Sequence, residues 1–150
     1  MSDKTDLASK IKSWLGEEED LDFEFNALDQ EELFRASVSR GPNHCDIIIS
    51  KKNPTSLTLE SRIRFEKKTY ASLKSNSRLN FVYKAEYALL LLGTNFTFSP
   101  NSTDLEEIRI WKVLYEDSLT KQSFFDAVSL VMRAFHMVNL QFAWEVRVMG

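Results

Sequence analysis

The sequence predicts an α+β fold: an antiparallel β-sheet of five or six strands with helices packed on it, in the order α-β(3–4)-α-β(2)-α. Three observations carry this. Apolar residues alternate with period two between Leu21 and Phe65, the mark of half-buried strands. The period turns helical after Glu66 and again after Thr120. Strand patterns and helix patterns come in runs, which favours helices laid on an antiparallel sheet. A chain of 150 residues has the size of one domain, expected to span residues 1–150. Its 43% hydrophobic residues, 11 Phe and 3 Trp among them, suffice for a core.

Asp3 to Leu15 reads as a short helix, with Leu7, Ile11, Trp14 and Leu15 at helical spacing and Gly16 as its stop. The run Glu17, Glu18, Glu19 and Asp20 reads as a solvated loop. Leu21, Phe23 and Phe25 alternate with Asp22, Glu24 and Asn26, a half-buried strand. From Leu33 to Ser39 a second strand sets Phe34, Ala36 and Val38 against Leu33, Arg35, Ser37 and Ser39. Gly41-Pro42-Asn43 signals a turn. Asp46–Ser50 suits a buried strand, and Leu57 to Phe65 alternates again; whether the hairpin near Pro54 holds one strand or two stays open.

Tyr70 and Leu73 mark a short turn or helix ending near Asn76. Ser77 is a candidate cap for a second helix running to Leu92 and closed by Gly93. Its apolar set is Leu79, Phe81, Val82, Ala85, Tyr87, Ala88, Leu89, Leu91 and Leu92. Asn95–Ser99 and Glu107–Tyr115 read as strands, and Thr120 as the N-cap of a long final helix.

That final helix is the most informative segment. With Asp126 at zero and about 100° per residue, Gln122, Asp126, Ser129, Arg133 and His136 share a polar arc of roughly 80–100°. The rest, roughly two thirds of the circumference, is apolar to Val138, and Leu140 and Trp144 intrude on the polar arc. A helix lying on a sheet needs a narrower stripe. Either the first or second helix covers the surplus, or the surplus is a homodimer seam or docking groove. Met132, Met137 and Met149 suit an adaptable surface, although Met at helical spacing also serves as plain core.

Tyr115, Asp117, Leu119, Thr120, Lys121, Phe124 and Phe125 form a strand end, an acidic residue, a Leu-Thr-Lys turn and paired Phe leading into a hydrophobic helix. This resembles the C-terminal motif of a family of archaeal proteins of unknown function, and the step at Gly93 and Phe96 in LLLLGTNFTF is similar to the same family's helix-Gly-strand. The likeness runs from about Phe23 to Val146 and is specific between Tyr115 and Ala134. Between Asp46 and Phe65 the chain departs from the pattern with an extra or longer hairpin. The element order also resembles that of type III secretion chaperones, an α/β sandwich that usually dimerises. The family implies no catalytic residues.

Other function classes find little support. A net charge of −3 gives no field for nucleic acid. One cysteine allows no internal disulfide, and no Cys/His spacing fits a metal. The four Gly are scattered, so no phosphate loop is present. The N-terminal stretch is too polar for a signal peptide, and the longest apolar run, Ala88–Leu92, is too short for a membrane span. The expectation is a soluble cytoplasmic protein without cofactor or metal. Asn95-Phe96-Thr97 and Asn101-Ser102-Thr103 are read as chance sequons.

The expected function is a non-catalytic interaction domain, chaperone-like or adaptor, acting as a homodimer through the final helix and using a sheet edge, with another protein as a further candidate partner. Phe125, Met132, His136 and Trp144 are its candidate interaction residues, where the apolar arc meets or crosses the polar stripe. Two alternatives are a small enzyme using Cys45 beside His44 or a cleft elsewhere, and a weak nucleic-acid binder using Arg62, Arg64, Lys67 and Lys68. On a strand His44 and Cys45 would point to opposite faces.

Overall fold

The computed structural model describes residues 6–149, with side chains through Arg147. The start expected at Asp3 and the side chain of Met149 lie outside the described residues. Helix α1 is Leu7–Glu17 and strands β1 to β4 are Asp22–Phe25, Glu32–Arg40, Asn43–Ser50 and Ser56–Arg64. Helices α2 and α3 follow at Lys67–Ser72 and Ser75–Leu92, then β5 at Asn95–Ser99, β6 at Glu107–Tyr115 and α4 at Lys121–Met149. The strands form one six-stranded sheet in the order β1-β2-β3-β4-β6-β5. The fold is therefore α+β on an antiparallel sheet, as expected, and the hairpin near Pro54 has two strands.

The chain divides into two compact units: one runs to Glu60 and takes in Lys112–Ser129, the other takes Ser61–Trp111 and the chain from Leu130 on.

In the first unit the β2–β3 hairpin turns on Gly41 and Pro42, with Arg40 opposite Asn43. Gly41 has φ +61°, which a two-residue hairpin turn demands and which a side chain would strain. That tight turn is why β3 begins at Asn43, three residues before the alternation suggested. Phe34 lies opposite Ile49, Ala36 opposite Ile47 and Val38 opposite Cys45, so one face is uniformly apolar and buried. Leu7, Ile11 and Leu15 of α1 are buried too. Gly16 does not stop α1, which runs one residue further to a cap at Glu18. The opposite sheet face carries a polar chain. Arg35 pairs with Glu32 (2.6 Å) and Asp46 (3.5 Å), the Ser37 hydroxyl donates to Asp46 (2.8 Å), and Asn26 donates to Ser37 (2.7 Å).

Strand β1 differs from its expected half-burial: all four residues are exposed, and only the preceding Leu21 is buried. The strand is at the sheet margin, where α1 reaches it with the Lys12 ammonium 5.6 Å from the Phe25 ring centre.

In the second unit the core gathers Ile63, Phe65, Tyr70, Leu73, Phe81, Ala85, Leu89, Leu105, Ile108, Ile110, Ala134 and Val138. Phe142 is its aromatic hub, with Phe65 at 4.8 Å, Phe81 at 5.3 Å and Tyr70 at 6.4 Å between ring centres. Helix α3 starts at Ser75 with Lys74 at its N-cap, so the expected cap, Ser77, lies within its first turn. It ends as expected: Gly93 adopts φ +75°, and its N–H donates to the carbonyls of Leu89 and Leu90.

Helix α4 opens on a reciprocal cap. The Ser123 N–H donates to the Thr120 hydroxyl oxygen (3.0 Å), and the Thr120 N–H donates to the Ser123 hydroxyl oxygen (2.9 Å). Thr120→Ala is expected to cost about 1 kcal/mol in urea unfolding, and Thr120→Ser to restore most of it.

Candidate interaction surface

Helix α3 is apolar on two opposite faces. On a wheel of about 100° per residue, Phe81, Ala85, Ala88, Leu89 and Leu92 point one way, into the core. Leu79, Tyr83, Tyr87, Leu90 and Leu91 fall within roughly 120° on the other side. These outer residues are exposed, from 56% at Leu79 to 69% at Leu91. Tyr83, Tyr87 and Leu90 line a shallow apolar groove, with Lys84 and Glu86 at its edges. An apolar stripe with a charged rim is the composition of a contact surface.

The end of α4 is fastened beside this helix. Glu145 is buried, accepts a hydrogen bond from the Asn80 side-chain amide (2.7 Å) and lies 3.8 Å from the Lys84 ammonium. Close by in the chain, Leu140 and Trp144 are more than half exposed. With His136 they lie four residues apart on one line of the helix.

The surplus apolar circumference of α4 is mostly covered within the chain. In the first unit Phe124 is fully buried, with Trp14 of α1 at 5.7 Å and Phe125 at 5.0 Å between ring centres. In the second unit Ala134 and Val138 join the core that α3 faces. The four residues singled out from sequence therefore separate. His136 and Trp144 are at the surface, Phe125 is half-buried, and Met132 is 4% exposed. Met132 is a correction: it packs in the interior and offers no surface, because its side of α4 is turned inward. Met137 is half-buried. The sequence reading missed Tyr83 and Leu90. A helical wheel sets them beside Leu79, Tyr87 and Leu91 but does not say which side of the helix is exposed.

The catalytic alternative loses its nucleophile. Cys45 is fully buried, and burial, followed by the Asp46 and Glu60 carboxylates, pushes its thiol far up from 9.0. Val38 lies opposite Cys45 and Ser39 opposite His44, so the two residues take opposite sheet faces. The basic alternative is interrupted by a carboxylate, since Glu107 pairs with Arg62 (3.5 Å) and Arg64 (3.4 Å). Among the described residues no cluster of His, Cys, Asp and Glu suits a metal ion, and no helix is long and apolar enough to cross a membrane.

The fold is α+β, a six-stranded antiparallel sheet with helices, of the chaperone-like architecture. It resembles a chain of the ExsC–ExsE complex with a TM-score of 0.54 at 15% identity, over 91% of this chain and 97% of that one. The chain belongs to the family described as "Uncharacterized conserved protein (DUF2299)", whose model matches residues 7–142. A crystal structure of an uncharacterized protein from Methanothermobacter thermautotrophicus is similar throughout, with a TM-score of 0.73 and 22% identity, covering 93% of this chain and 96% of that one. No curated protein matches the sequence.

Two outcomes check these placements. Met132→Lys is expected to cost about 3 kcal/mol or more, while Trp144→Lys changes the stability of the folded chain by less than about 0.5 kcal/mol, both read by urea unfolding. Cys45 is expected to resist iodoacetamide in the native protein at neutral pH and to react at the rate of a free thiol in denaturant, followed by mass.

Proposed function

We propose that the protein is a non-catalytic, chaperone-like interaction domain that acts as a homodimer. The observation that carries this is the outer face of α3: Leu79, Tyr83, Tyr87, Leu90 and Leu91 are exposed together on one side of the helix. Burying apolar area yields roughly 25 cal/mol per Å² before the costs of association. Tyr is favoured at such contacts because its ring buries area while its hydroxyl stays solvated. The fold likeness to a chain of a two-protein complex supports the binding of another protein. We read the seam as α3 joined by Leu140 and Trp144, which moves it from the helix the sequence favoured to the one beside it.

The same reading takes the chain as a single domain, because β4, β6 and α4 each contribute residues to both compact units. A cytoplasmic setting and an archaeal source complete the proposal. The Methanothermobacter similarity supports the latter.

The test is the native molar mass by light scattering across a dilution series. Wild type is expected to stay dimeric, and Tyr83→Lys/Tyr87→Lys to run as a folded monomer with unchanged circular dichroism. A wild-type protein that is monomeric at every concentration, or a double variant that remains dimeric, refutes this seam.

A further inference from the structure

Strand β1 is one margin of the sheet, and β2 is its only strand neighbour among the described residues. The Asn26 N–H donates to the Arg35 carbonyl (3.0 Å). Counting back by twos, Glu24 and Asp22 turn their backbone groups toward β2, and Phe23 and Phe25 turn theirs outward. The two faces of the strand differ in chemistry. Phe23 and Phe25, opposite Val38 and Ala36, are 37% and 52% exposed. Asp22 and Glu24 stand on the other face, both exposed. Between Lys12 and Arg35 the sequence holds nine carboxylates and no basic residue, in a chain whose net charge is only −3. Sheet edges are commonly guarded by charge, most often Lys, and on β1 the charge is negative, from Asp22 and Glu24.

We propose that this edge accepts an extended, basic amphipathic segment of another protein as an added strand. Its apolar side chains meet Phe23 and Phe25, and its Lys or Arg side chains meet Asp22 and Glu24. The two-residue period of a strand delivers both sets of contacts at once, while the outward backbone groups of Phe23 and Phe25 supply the ladder. The same charge turns away a second copy of β1, which would set carboxylate against carboxylate. The inference rests on the reading of the chain as a protein-binding domain, but uses a surface separate from the α3 stripe.

The probe is a fluorescent peptide of alternating Lys and Val, titrated by anisotropy at low salt. Controls are a Glu-Val peptide and a peptide with the same Lys and Val in two blocks. The alternating basic peptide is expected to bind in preference to both and to slow amide exchange at Phe23 and Phe25. Asp22→Lys/Glu24→Lys should weaken it about tenfold and transfer the preference to Glu-Val. Should that variant misfold by circular dichroism, Phe25→Ser serves instead and is expected to weaken the basic peptide. Equal binding of the block peptide, indifference to the substitutions, or exchange protection at residues 83–91 in place of β1 overturns the proposal. Light scattering on the same samples separates the two ideas. A stable dimer that ignores the peptide removes the edge site alone, and a monomer that binds it removes the dimer alone.

Discussion

In the second unit, Phe142 of α4 meets Phe65 after β4, Tyr70 of α2 and Phe81 of α3. Each pair contributes about 0.5–1.5 kcal/mol beyond the area it buries. The larger effect is directional. Phe81 can reach Phe142 only if that side of α3 faces inward, and Ala85 and Leu89 follow it into the core. The tyrosines on the far side are then committed to solvent. Exposure of Tyr83 and Tyr87 is thus a consequence of how the core is locked, and any partner that covers them finds a face already set in place.

The first unit makes the complementary arrangement with a sheet. One face of β2, β3 and β4 is closed and apolar, down to the fully buried Cys45. The other is a polar lattice in which Glu32, Arg35, Asp46, Ser37 and Asn26 answer one another. Such a lattice satisfies the polar groups of the open face without an apolar cover. A thiol held on the closed side, kept protonated by burial, acts as a small apolar side chain.

Much of this was legible in the residues. Period-two alternation located the strands, Gly93 the end of α3 and Thr120 the start of α4, because each is a local demand of backbone geometry on side-chain type. The departures in burial share one cause: a pattern shows which residues are apolar together, but not what covers them. Phe23 and Phe25 alternate like any half-buried strand, yet β1 is at a margin. Met132 sits at the border of the apolar arc of α4, yet that border is turned inward. The two-sided apolar character of α3 was in plain view as a sequence property. Choosing its outer side required knowing where Phe142 lies.

Glu145 gives this unit something apolar packing does not. Two helices held only by aliphatic and aromatic groups can slip by a turn, since one apolar residue then takes the place of another. A buried carboxylate that reaches both the Asn80 amide and the Lys84 ammonium gives up one of the two if either helix slips by a turn. It works as an index pin, fixing the axial register of α4 against α3. The spacing between Trp144 and the tyrosine stripe is therefore set by a polar contact rather than by the fit of apolar surfaces alone.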